Sequence, residues 1–427
     1  MLSEFNLLKF CKDLYEVPRS LTGSGVRDTL NYISEIIPIK TKKIKSGTKV
    51  FDWIIPPEWN VKSAYIIELE TGKKVVDFNN HRLHLVGYSE PIECKLDYNQ
   101  LVPKLHYLKE LPDAIPYITS YYKKNWGFCL SYNQFKKLNK SSNYKIFIDS
   151  SFNPDGYMNY GELYIPGKVK SEIFFSSYIC HPQMVNNELS GPSVLTGIAK
   201  SILETENYYS YRFVLIPETI GSIAYLSKNL KNLKKNVVGG FVITCVGDER
   251  DWGLIPSRYG DNLSDKIAEH VLKYNVGKFT KHTWLDRGSD ERQYCAPGID
   301  LPISSITRSL YRKYPEYHTS LDDFSVVTKK GLEQSFNIYK KCIQVFESGK
   351  DIRPKVNILG EPRLGPRGLY PQRKANLDVS EEVRNILNFI SYSDGENTIL
   401  EISELCNISF FKSINIWEKL RKHGLVS

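Results

Sequence analysis

Hydrophobic positions recur along this chain at two spacings, and each spacing marks a different kind of predicted structure. Between residues 4 and 37 they follow a helical period, which predicts two amphipathic helices joined by a turn. From residue 46 onwards, short β-type runs alternate with proline and glycine turns. These runs predict a small β-rich insertion over residues 46–124, because the strand–helix alternation of a layered α/β domain begins only later.

Strands and helices alternate between residues 160 and 345. The strand candidates are 161–165, 173–179, 211–216, 240–246 and 302–305. The helix candidates are 192–203, 222–230, 262–274 and 329–348. This alternation predicts an α/β domain in which helices flank a mostly parallel sheet, built from residues 1–45 and 125–350.

The composition changes again after residue 350. Residues 351–375 are rich in proline, glycine and arginine, which is typical of a linker. Three short helical patterns follow, and they predict a winged-helix or helix-turn-helix module over residues 376–427. The end of the last predicted helix is basic and contains Lys412, Lys419, Arg421, Lys422 and His423. Such an end suits a DNA backbone, although solvent-exposed helix faces are commonly basic as well.

Composition narrows the class of protein. The chain has 427 residues, which suggests two or three domains, and its hydrophobic fraction of 41% is ordinary for a globular protein. The net charge of +9 is modest for this length and is a weak argument for a nucleic-acid partner. The first four residues begin no signal peptide, no apolar run reaches transmembrane length, and the eight cysteines form no C-x-x-C pair. We therefore expect a reduced, cytoplasmic protein that does not enter a membrane.

Two histidines occupy positions that suit a metal site. His181 follows the apolar run 174–179 and precedes a polar loop, so it is expected at the carboxyl end of a strand, where α/β sheets bind ligands. His318 lies in an irregular polar loop before the last helix of the α/β domain. Two histidines and a carboxylate from separate strand ends form a zinc ligand set that leaves a coordination position open. The alternative is that both histidines are capping or core residues.

Acidic residues follow several of the predicted strands. Glu218 comes directly after the buried run 211–216, where a carboxylate could accept a proton from an activated water or simply favour the start of the next helix. Asp248 lies in an acidic loop, and Asp290 lies in the dense charge cluster 286–292. Either aspartate could bind a charged end of a substrate, or could belong to a solvated loop or a surface ion-pair network.

Taken together, these segments resemble the M28-type zinc aminopeptidases, and more closely the bacterial aminopeptidase-like proteins that carry a small inserted domain and a C-terminal winged helix. The matching pieces are His181 after its strand and the segments 187–191, 217–222, 295–299 and 317–322. The resemblance implies a phosphorylase/hydrolase-like α/β fold and the removal of N-terminal residues from peptides. It also implies that His181 and His318 bind metal and that Glu218 lies in the acidic segment that holds the general base.

The sequence departs from this family at three positions. Asn187 stands where the family has a metal-bridging aspartate, Thr244 where it has an aspartate after a later strand, and Thr219 where it has a second glutamate. A neutral amide is a poor bridge between two dications, since it neutralises neither. We therefore expect a single zinc ion instead of a pair.

The carboxylate that completes the zinc site has two candidates. Glu188 is the first choice, beside His181 and His318, and it leaves Glu218 as the catalytic base. In the alternative, Glu218 is the metal ligand, and Glu188 orients a ligand without contacting the metal itself.

The leading hypothesis from the sequence is a cytoplasmic, zinc-dependent hydrolase of amide bonds, of the aminopeptidase type, acting on a peptide or an amide-containing small molecule. Asp248, Asp290 and Tyr317 are further candidates for substrate contacts. One alternative is an amidohydrolase that does not act on peptides. Another is a regulatory protein in which a degenerate hydrolase domain senses a ligand and the winged helix binds DNA or a protein partner. Assembly into a homo-oligomer is left open.

Overall fold

The computed structural model describes residues 5–349, 351–370 and 381–427. The first four residues, for which the sequence predicts no signal peptide, lie outside this description. Residues 371–380 also lie outside it, and they include the predicted boundary between the linker and the C-terminal module. The chain forms two compact units, one from Met1–Asp265 and Phe279–Asn337, the other from Lys266–Lys278 and Ile338–Ser427.

The β-strands run from the N-terminal part of the chain to residue 307. They are β1 (Lys40–Lys45), β2 (Lys49–Val50), β3 (Trp53–Ile54), β4 (Glu58–Glu68), β5 (Lys74–Asp77), β6 (Ile92–Asp97), β7 (Leu105–His106), β8 (Phe128–Cys129), β9 (Asn143–Asn153), β10 (Tyr157–Ile165), β11 (Glu172–Tyr178), β12 (Ser210–Ile216), β13 (Val237–Val242), β14 (Gly253–Ile255), β15 (Thr280–Lys281) and β16 (Ile303–Thr307).

The α-helices occur before, between and after these strands. They are α1 (Leu7–Leu14), α2 (Ser24–Ser34), α3 (Tyr98–Leu101), α4 (Tyr132–Lys136), α5 (Ser190–Leu203), α6 (Ile220–Asn236), α7 (Leu263–Asn275), α8 (Glu291–Tyr294), α9 (Lys329–Gly349), α10 (Glu381–Ser391), α11 (Ile399–Leu405) and α12 (Phe410–Lys422).

The first unit is organised around an eight-stranded sheet with the order β1-β10-β12-β11-β13-β16-β14-β15. Its central strands β12, β11, β13 and β16 are parallel, whereas β1 and β10 pair antiparallel to their neighbours, and β14 is antiparallel to β16 and parallel to β15. Every residue of β11 is buried, as expected for a parallel strand covered on both faces. This mostly parallel sheet with flanking helices confirms the predicted fold class.

A second, smaller sheet contains β5, β4, β9 and β6, all antiparallel. Along most of β9, buried side chains alternate with more accessible ones, which is the pattern of a sheet with one face on the core. The predicted insertion of 46–124 contains three of its strands, and the sheet also includes β9, which follows later in the chain. The predicted insertion therefore does not form a complete sheet by itself, because its strands β4 and β6 both pair with β9, which lies outside it.

The second unit contains the three C-terminal helices of the predicted module. Thr398 caps α11 through a capping box with Glu401, and Ser409 caps α12, so both helices begin where the sequence places small polar residues. Lys355 and Val356, within the predicted linker, form β-bridges to Asp394 and Val426. The first part of the predicted linker is therefore an ordered part of the winged-helix unit.

Across the described parts of the chain, no helix combines the length and the apolar character that crossing a membrane requires.

Candidate active site

The central parallel strands end side by side, and the chain leaves three of them through residues of interest. His181 follows β11, Glu218 follows β12 and Thr244 follows β13. The backbone N–H of Glu218 donates a hydrogen bond to Sγ of Cys180 at 3.2 Å, which ties the ends of β11 and β12 together. The sheet therefore brings these positions to one edge, as expected for a ligand site in an α/β fold.

The two ring nitrogens of His181 face different carboxylates. Nδ1 lies 2.8 Å from Oε2 of Glu188, and Nε2 lies 3.6 Å from Oε2 of Glu218. A hydrogen bond from Nδ1–H to a carboxylate leaves Nε2 as the nitrogen with a free lone pair, which is the form that binds a metal. The distance to Glu218 is close to the separation of about 3.4 Å between two ligands of a tetrahedral zinc ion.

Glu188 is enclosed on its other side by Arg19. Nε of Arg19 lies 3.3 Å from Oε1 of Glu188 and donates a hydrogen bond to the backbone carbonyl of His181 at 3.0 Å, while Nη1 donates to the carbonyl of Leu14 at 2.6 Å. Both charged side chains are completely buried. A guanidinium beside the carboxylate opposes the binding of a dication there, so Glu188 is suited to orient His181 from behind.

His318 lies on the open side of His181. The two ring centroids are 5.4 Å apart, and two imidazoles bound to one tetrahedral zinc have centroids roughly 5 Å apart. Nε2 of His318 is buried and has no hydrogen-bond partner among the described residues. Tyr317 stacks on the His318 ring with a centroid distance of 4.0 Å.

Tyr117, from the region of the predicted insertion, packs edge-on against both imidazoles, with centroid distances of 5.1 Å to His181 and 5.2 Å to His318. Its backbone N–H donates to the carbonyl of His318 at 2.8 Å. Ile115 and Ser320 add two more hydrogen bonds between the same two segments. The insertion therefore holds the loop that carries the second histidine.

Burial controls the charge of the site. It lowers the pKa of His181 and of His318 to about 3, so both imidazoles are neutral and able to act as ligands. Burial raises the pKa of Glu188 to about 8 against the opposing effect of Arg19. Burial, followed by the neighbouring Asp290 carboxylate, also raises the pKa of Glu218. A cation bound between the imidazoles would favour the charged form of a carboxylate beside it.

Two of the three positions that differ from the family pattern, Asn187 and Thr244, are linked to each other. The amide nitrogen of Asn187 donates to the hydroxyl of Tyr178 at 2.8 Å, and that hydroxyl also hydrogen-bonds the hydroxyl of Thr244. This chain of neutral groups occupies the region where the family pattern would place further metal-binding carboxylates.

The turn that carries Asn187 and Glu188 is held by Asp322. This turn, Val185–Leu189, is a π-helical segment directly before α5. The Asp322 carboxylate accepts hydrogen bonds from the backbone N–H groups of its first three residues and from the hydroxyl of Tyr314. Asp322 is fully buried and takes the place of the missing backbone partners at the start of the turn.

Asp248, a predicted substrate contact, lies in a hydrogen-bond network. Its carboxylate accepts from the side chain of Asn186, from both the backbone and the hydroxyl of Ser309, and from the backbone of Arg250. It is 1% exposed. The structure therefore gives Asp248 partners that tie three loops together and does not direct it towards the two imidazoles.

Asp290 lies on the Glu218 side of the site. Its Oδ1 accepts from the backbone of Thr219 and the hydroxyl of Ser222, both at 2.8 Å, whereas Oδ2 is buried with no partner in the described chain. Thr219 has a φ of 63°, an unfavourable conformation for a β-branched residue, and its hydroxyl accepts from Nη2 of Arg292. Such strain is common at functional sites.

The structure brings four of the predicted site residues together, namely His181, Glu188, Glu218 and His318. Besides Arg292, which belongs to the charge cluster 286–292 noted in the sequence, it adds Arg19 and Tyr117, which the sequence analysis missed. No local pattern points to them, because each lies far along the chain from the histidines and is brought near by tertiary folding.

The second unit offers a separate surface on α12. Lys412 forms an ion pair with Glu381 at 2.8 Å, and Lys419 forms one with Glu382 at 2.9 Å. These pairs reduce the positive charge that the sequence suggested for this helix.

The fold and the edge of the sheet with its two histidines define an aminopeptidase-like α/β protein that carries a C-terminal winged helix. The chain belongs to the family described as "Domain of unknown function (DUF4910)", whose model matches residues 8–349. A winged helix-turn-helix model matches residues 352–427.

Relatives in Clostridium acetobutylicum are similar over nearly the whole chain. One protein is 41% identical over 409 residues, which cover 95% of this chain and 92% of that protein. Its name describes a candidate polysaccharide biosynthesis protein with an aminopeptidase-like domain. A crystal structure of a candidate peptidase from the same organism has a TM-score of 0.91 and 38% identity, covering 99% of this chain and 95% of the other.

A zinc aminopeptidase from Bacillus subtilis shares the fold. Its structure has a TM-score of 0.53 and 13% identity, with 81% of this chain and 95% of that one covered. At this identity the similarity concerns the fold alone. Together with the aminopeptidase-like domain of the Clostridium relative, it confirms the family resemblance expected from the sequence.

Replacing Asp322 by alanine should destabilise the first unit by about 3 kcal/mol or more, since several buried N–H donors lose a charged acceptor. Chemical denaturation followed by circular dichroism would measure this. Asp323→Ala is the matched control, because among the residues the structure describes its side chain accepts a hydrogen bond from the backbone of Ser325 alone, and it is partly exposed. Equal destabilisation by the two variants would contradict the role given to Asp322.

Proposed function

We propose that this protein is a zinc-dependent hydrolase of amide bonds, of the aminopeptidase type, with a single zinc ion held between His181 and His318. The observation that carries the proposal is the pair of facing, neutral imidazoles, one of which has a buried Nε2 without a partner in the described part of the chain. Burying such a nitrogen without a ligand costs free energy that a bound metal would offset.

The residues present fit one zinc ion. Nε2 of His181, Nε2 of His318 and a carboxylate oxygen of Glu218 make a two-histidine, one-carboxylate set, which is typical of catalytic zinc. Among the described residues, Cys180, His181 and Glu188 form the one group of three whose ligand atoms all lie within 4.8 Å of one another, so His318 or Glu218 has to move towards His181 for the favoured set to close on an ion. We favour Glu218 as the carboxylate ligand, because Glu188 already contacts Nδ1 of His181 and pairs with Arg19.

The roles of the two glutamates follow from their surroundings. Glu188 accepts the Nδ1 hydrogen of His181 and fixes the orientation of the ring. Glu218 is 20% exposed, whereas Glu188 is fully buried, so substrate and water can reach Glu218. One of its oxygens faces His181, and the other can accept a proton from the attacking water and return it to the leaving nitrogen. Bound zinc would polarise the amide carbonyl and make water more acidic.

The name of the Clostridium relative favours a second candidate within the same chemistry, an amidohydrolase that acts on a sugar-linked amide instead of a peptide. The same histidines and Glu218 would serve either substrate. The two candidates differ only in the group that the rest of the site binds.

The winged-helix match favours an additional role for the C-terminal unit, the binding of DNA or a protein partner. Lys422 and Arg421 are exposed at the end of α12, and Arg421 also lies over the ring of Trp417. Because Lys412 and Lys419 are paired with acids, we propose at most weak, salt-dependent DNA binding.

The histidine assignment predicts the zinc content of variants. His181→Ala and His318→Ala should each lose bound zinc, because two protein ligands hold a zinc ion poorly. Elemental analysis after dialysis against metal-free buffer would measure zinc per chain, with circular dichroism to check folding. His84→Ala is the control, a buried histidine that bonds the carbonyl of Cys129. Equal zinc loss from this control, or a wild-type protein without zinc affinity, would overturn the assignment.

The two glutamates should respond differently to the same substitution. Glu218→Gln should lose both zinc and hydrolysis. Glu188→Gln should keep zinc with an affinity roughly 10- to 100-fold lower, since it changes only the group that orients His181. Titration with zinc by calorimetry would separate the two. If Glu188→Gln abolishes binding while Glu218→Gln retains it, Glu188 is the ligand, as the first choice from the sequence had it.

A substrate panel distinguishes the two enzyme candidates. Fluorogenic aminoacyl amides should be cleaved by the zinc-loaded protein, and chelation should remove the activity, because the scissile amide depends on the metal-assisted site. N-acylated amino sugars form the second arm. Cleavage of only the second arm would replace the aminopeptidase proposal by the amidohydrolase.

A further inference from the structure

The chain makes a strained turn directly after Glu218. Thr219 has a φ of 63° and a ψ of −76°, and the backbone N–H of Ile220 donates to the carbonyl of Glu218 at 2.8 Å. These angles and this bond define a γ-turn with a positive φ at its centre, a type that is rare and strained. The strain is greater for threonine than for glycine, because a branched Cβ crowds the backbone at positive φ. Thr219 is therefore held in a conformation that it would not adopt by itself.

The backbone of Glu218 is fixed on both sides of its Cα atom. Its N–H donates to Sγ of Cys180 at 3.2 Å, and its carbonyl closes the turn. With the backbone in this position, Oε2 of Glu218 lies 3.6 Å from Nε2 of His181. Relaxation of Thr219 to a negative φ would rotate the peptide group before it relative to α6. That rotation would move the Glu218 carboxylate away from the imidazole.

Asp290 supplies the contact that holds the turn. Its Oδ1 accepts from the backbone N–H of Thr219 and from the hydroxyl of Ser222, both at 2.8 Å. One carboxylate oxygen thus binds the strained residue and the first turn of α6. Asp290 is 0% exposed, so water cannot replace this acceptor, and a hydrogen bond to a charged acceptor is stronger than one between neutral groups. The contact can therefore offset the strain at Thr219.

The carboxylate of Asp290 does not serve the helix that it precedes. Asp290 is the N-cap residue of α8, where an aspartate usually accepts from a backbone N–H two or three residues further on. Within the described chain, its side chain makes no such capping bond. It is directed instead to Thr219, 71 positions earlier in the sequence. Helix capping therefore does not account for this buried aspartate, whereas the turn after Glu218 does.

Arg292 binds the same threonine through its side chain. Nη2 of Arg292 donates to the hydroxyl of Thr219. Asp290 and Arg292, two residues apart, thus hold the N–H and the hydroxyl of one residue. These two contacts restrict both the φ angle and the side-chain rotation of Thr219.

We propose that Asp290 is a positioning residue, which together with Arg292 holds the strained turn at Thr219 and thereby keeps Glu218 facing His181 before a metal ion binds. The consequence for zinc affinity rests on the proposed function. The conformation of the turn does not, because none of its contacts involves a metal.

A double-mutant cycle on the full-length protein, with zinc affinity measured by calorimetry, tests this role. Asp290→Ala should weaken zinc binding roughly 10- to 100-fold, because Thr219 relaxes and Glu218 leaves its position. In a Thr219→Gly background the same substitution should weaken binding only about two- to fivefold, since glycine adopts positive φ about as readily as negative φ. An equal loss in both backgrounds would overturn the proposal.

A conservative variant separates the hydrogen bonds of Asp290 from its charge. Asp290→Asn keeps a side-chain oxygen that can accept from Thr219 and Ser222, so it should retain most of the zinc affinity that Asp290→Ala loses. Equal losses in the two variants would assign the effect to charge and would contradict the positioning role.

Asp265→Ala is the matched control for general stability. Asp265 is 3% exposed and accepts from the backbone N–H groups of Ser257 and Asn262, so it too is a buried aspartate that holds a loop. Its removal should lower the free energy of unfolding and leave zinc affinity unchanged. If it weakened zinc binding as much as Asp290→Ala, the effect of Asp290 would be one of stability alone.

Crystal structures of the metal-free protein give a measurement that does not depend on zinc. Wild-type protein should have Thr219 at positive φ with Glu218 facing His181, and Asp290→Ala should have Thr219 at negative φ. A positive φ retained in Asp290→Ala would overturn the proposal. A negative φ in the metal-free wild type would do so even if Asp290→Ala fails to fold. If the turn changes as expected in a protein without zinc affinity, the proposed function is wrong and the positioning role stands.

Discussion

The candidate site depends on one buried chain of contacts, from Arg19 to Glu188 to His181. The guanidinium pairs with the carboxylate, and the carboxylate accepts the Nδ1 hydrogen of the imidazole. Because all three groups are shielded from water, each would be costly to bury alone, and together they define one orientation of the ring. That orientation turns Nε2 towards Glu218, with the His318 ring 5.4 Å away between centroids.

The smaller sheet has a direct part in this arrangement. The segment that follows β7, between two strands of this sheet in the chain, carries Tyr117 against both imidazoles and hydrogen-bonds the backbone of the His318 loop. A loop histidine with a φ of 55° would not keep one position by local preference. The inserted residues are therefore part of the active-site wall, in addition to forming a separate layer.

Two positions at which the sequence departs from the family's metal-binding pattern are joined to each other in the structure. Asn187, Tyr178 and Thr244 are joined by hydrogen bonds between neutral groups, where two carboxylates would repel each other without a dication. These three hydrogen-bonded side chains carry no charge, so no metal ion is needed to offset repulsion among them. The proposed single ion at the two histidines is compatible with this neutral chain, because neither Asn187 nor Thr244 carries a charge that a second ion would have to balance.

Periodicity and composition determined much of this protein: the parallel α/β sheet, the C-terminal winged helix, and His181 and Glu218 at strand ends, because these depend on residues close together in the chain. The extension of the small sheet to β9 depends on pairing between segments far apart, which no local pattern records. The same holds for the site. The sequence named both glutamates and put Glu188 first as the metal ligand, whereas the preference proposed for Glu218 depends on Arg19, more than 160 positions from Glu188. Only the tertiary structure places the Arg19 guanidinium beside Glu188 and leaves the Glu218 carboxylate partly exposed.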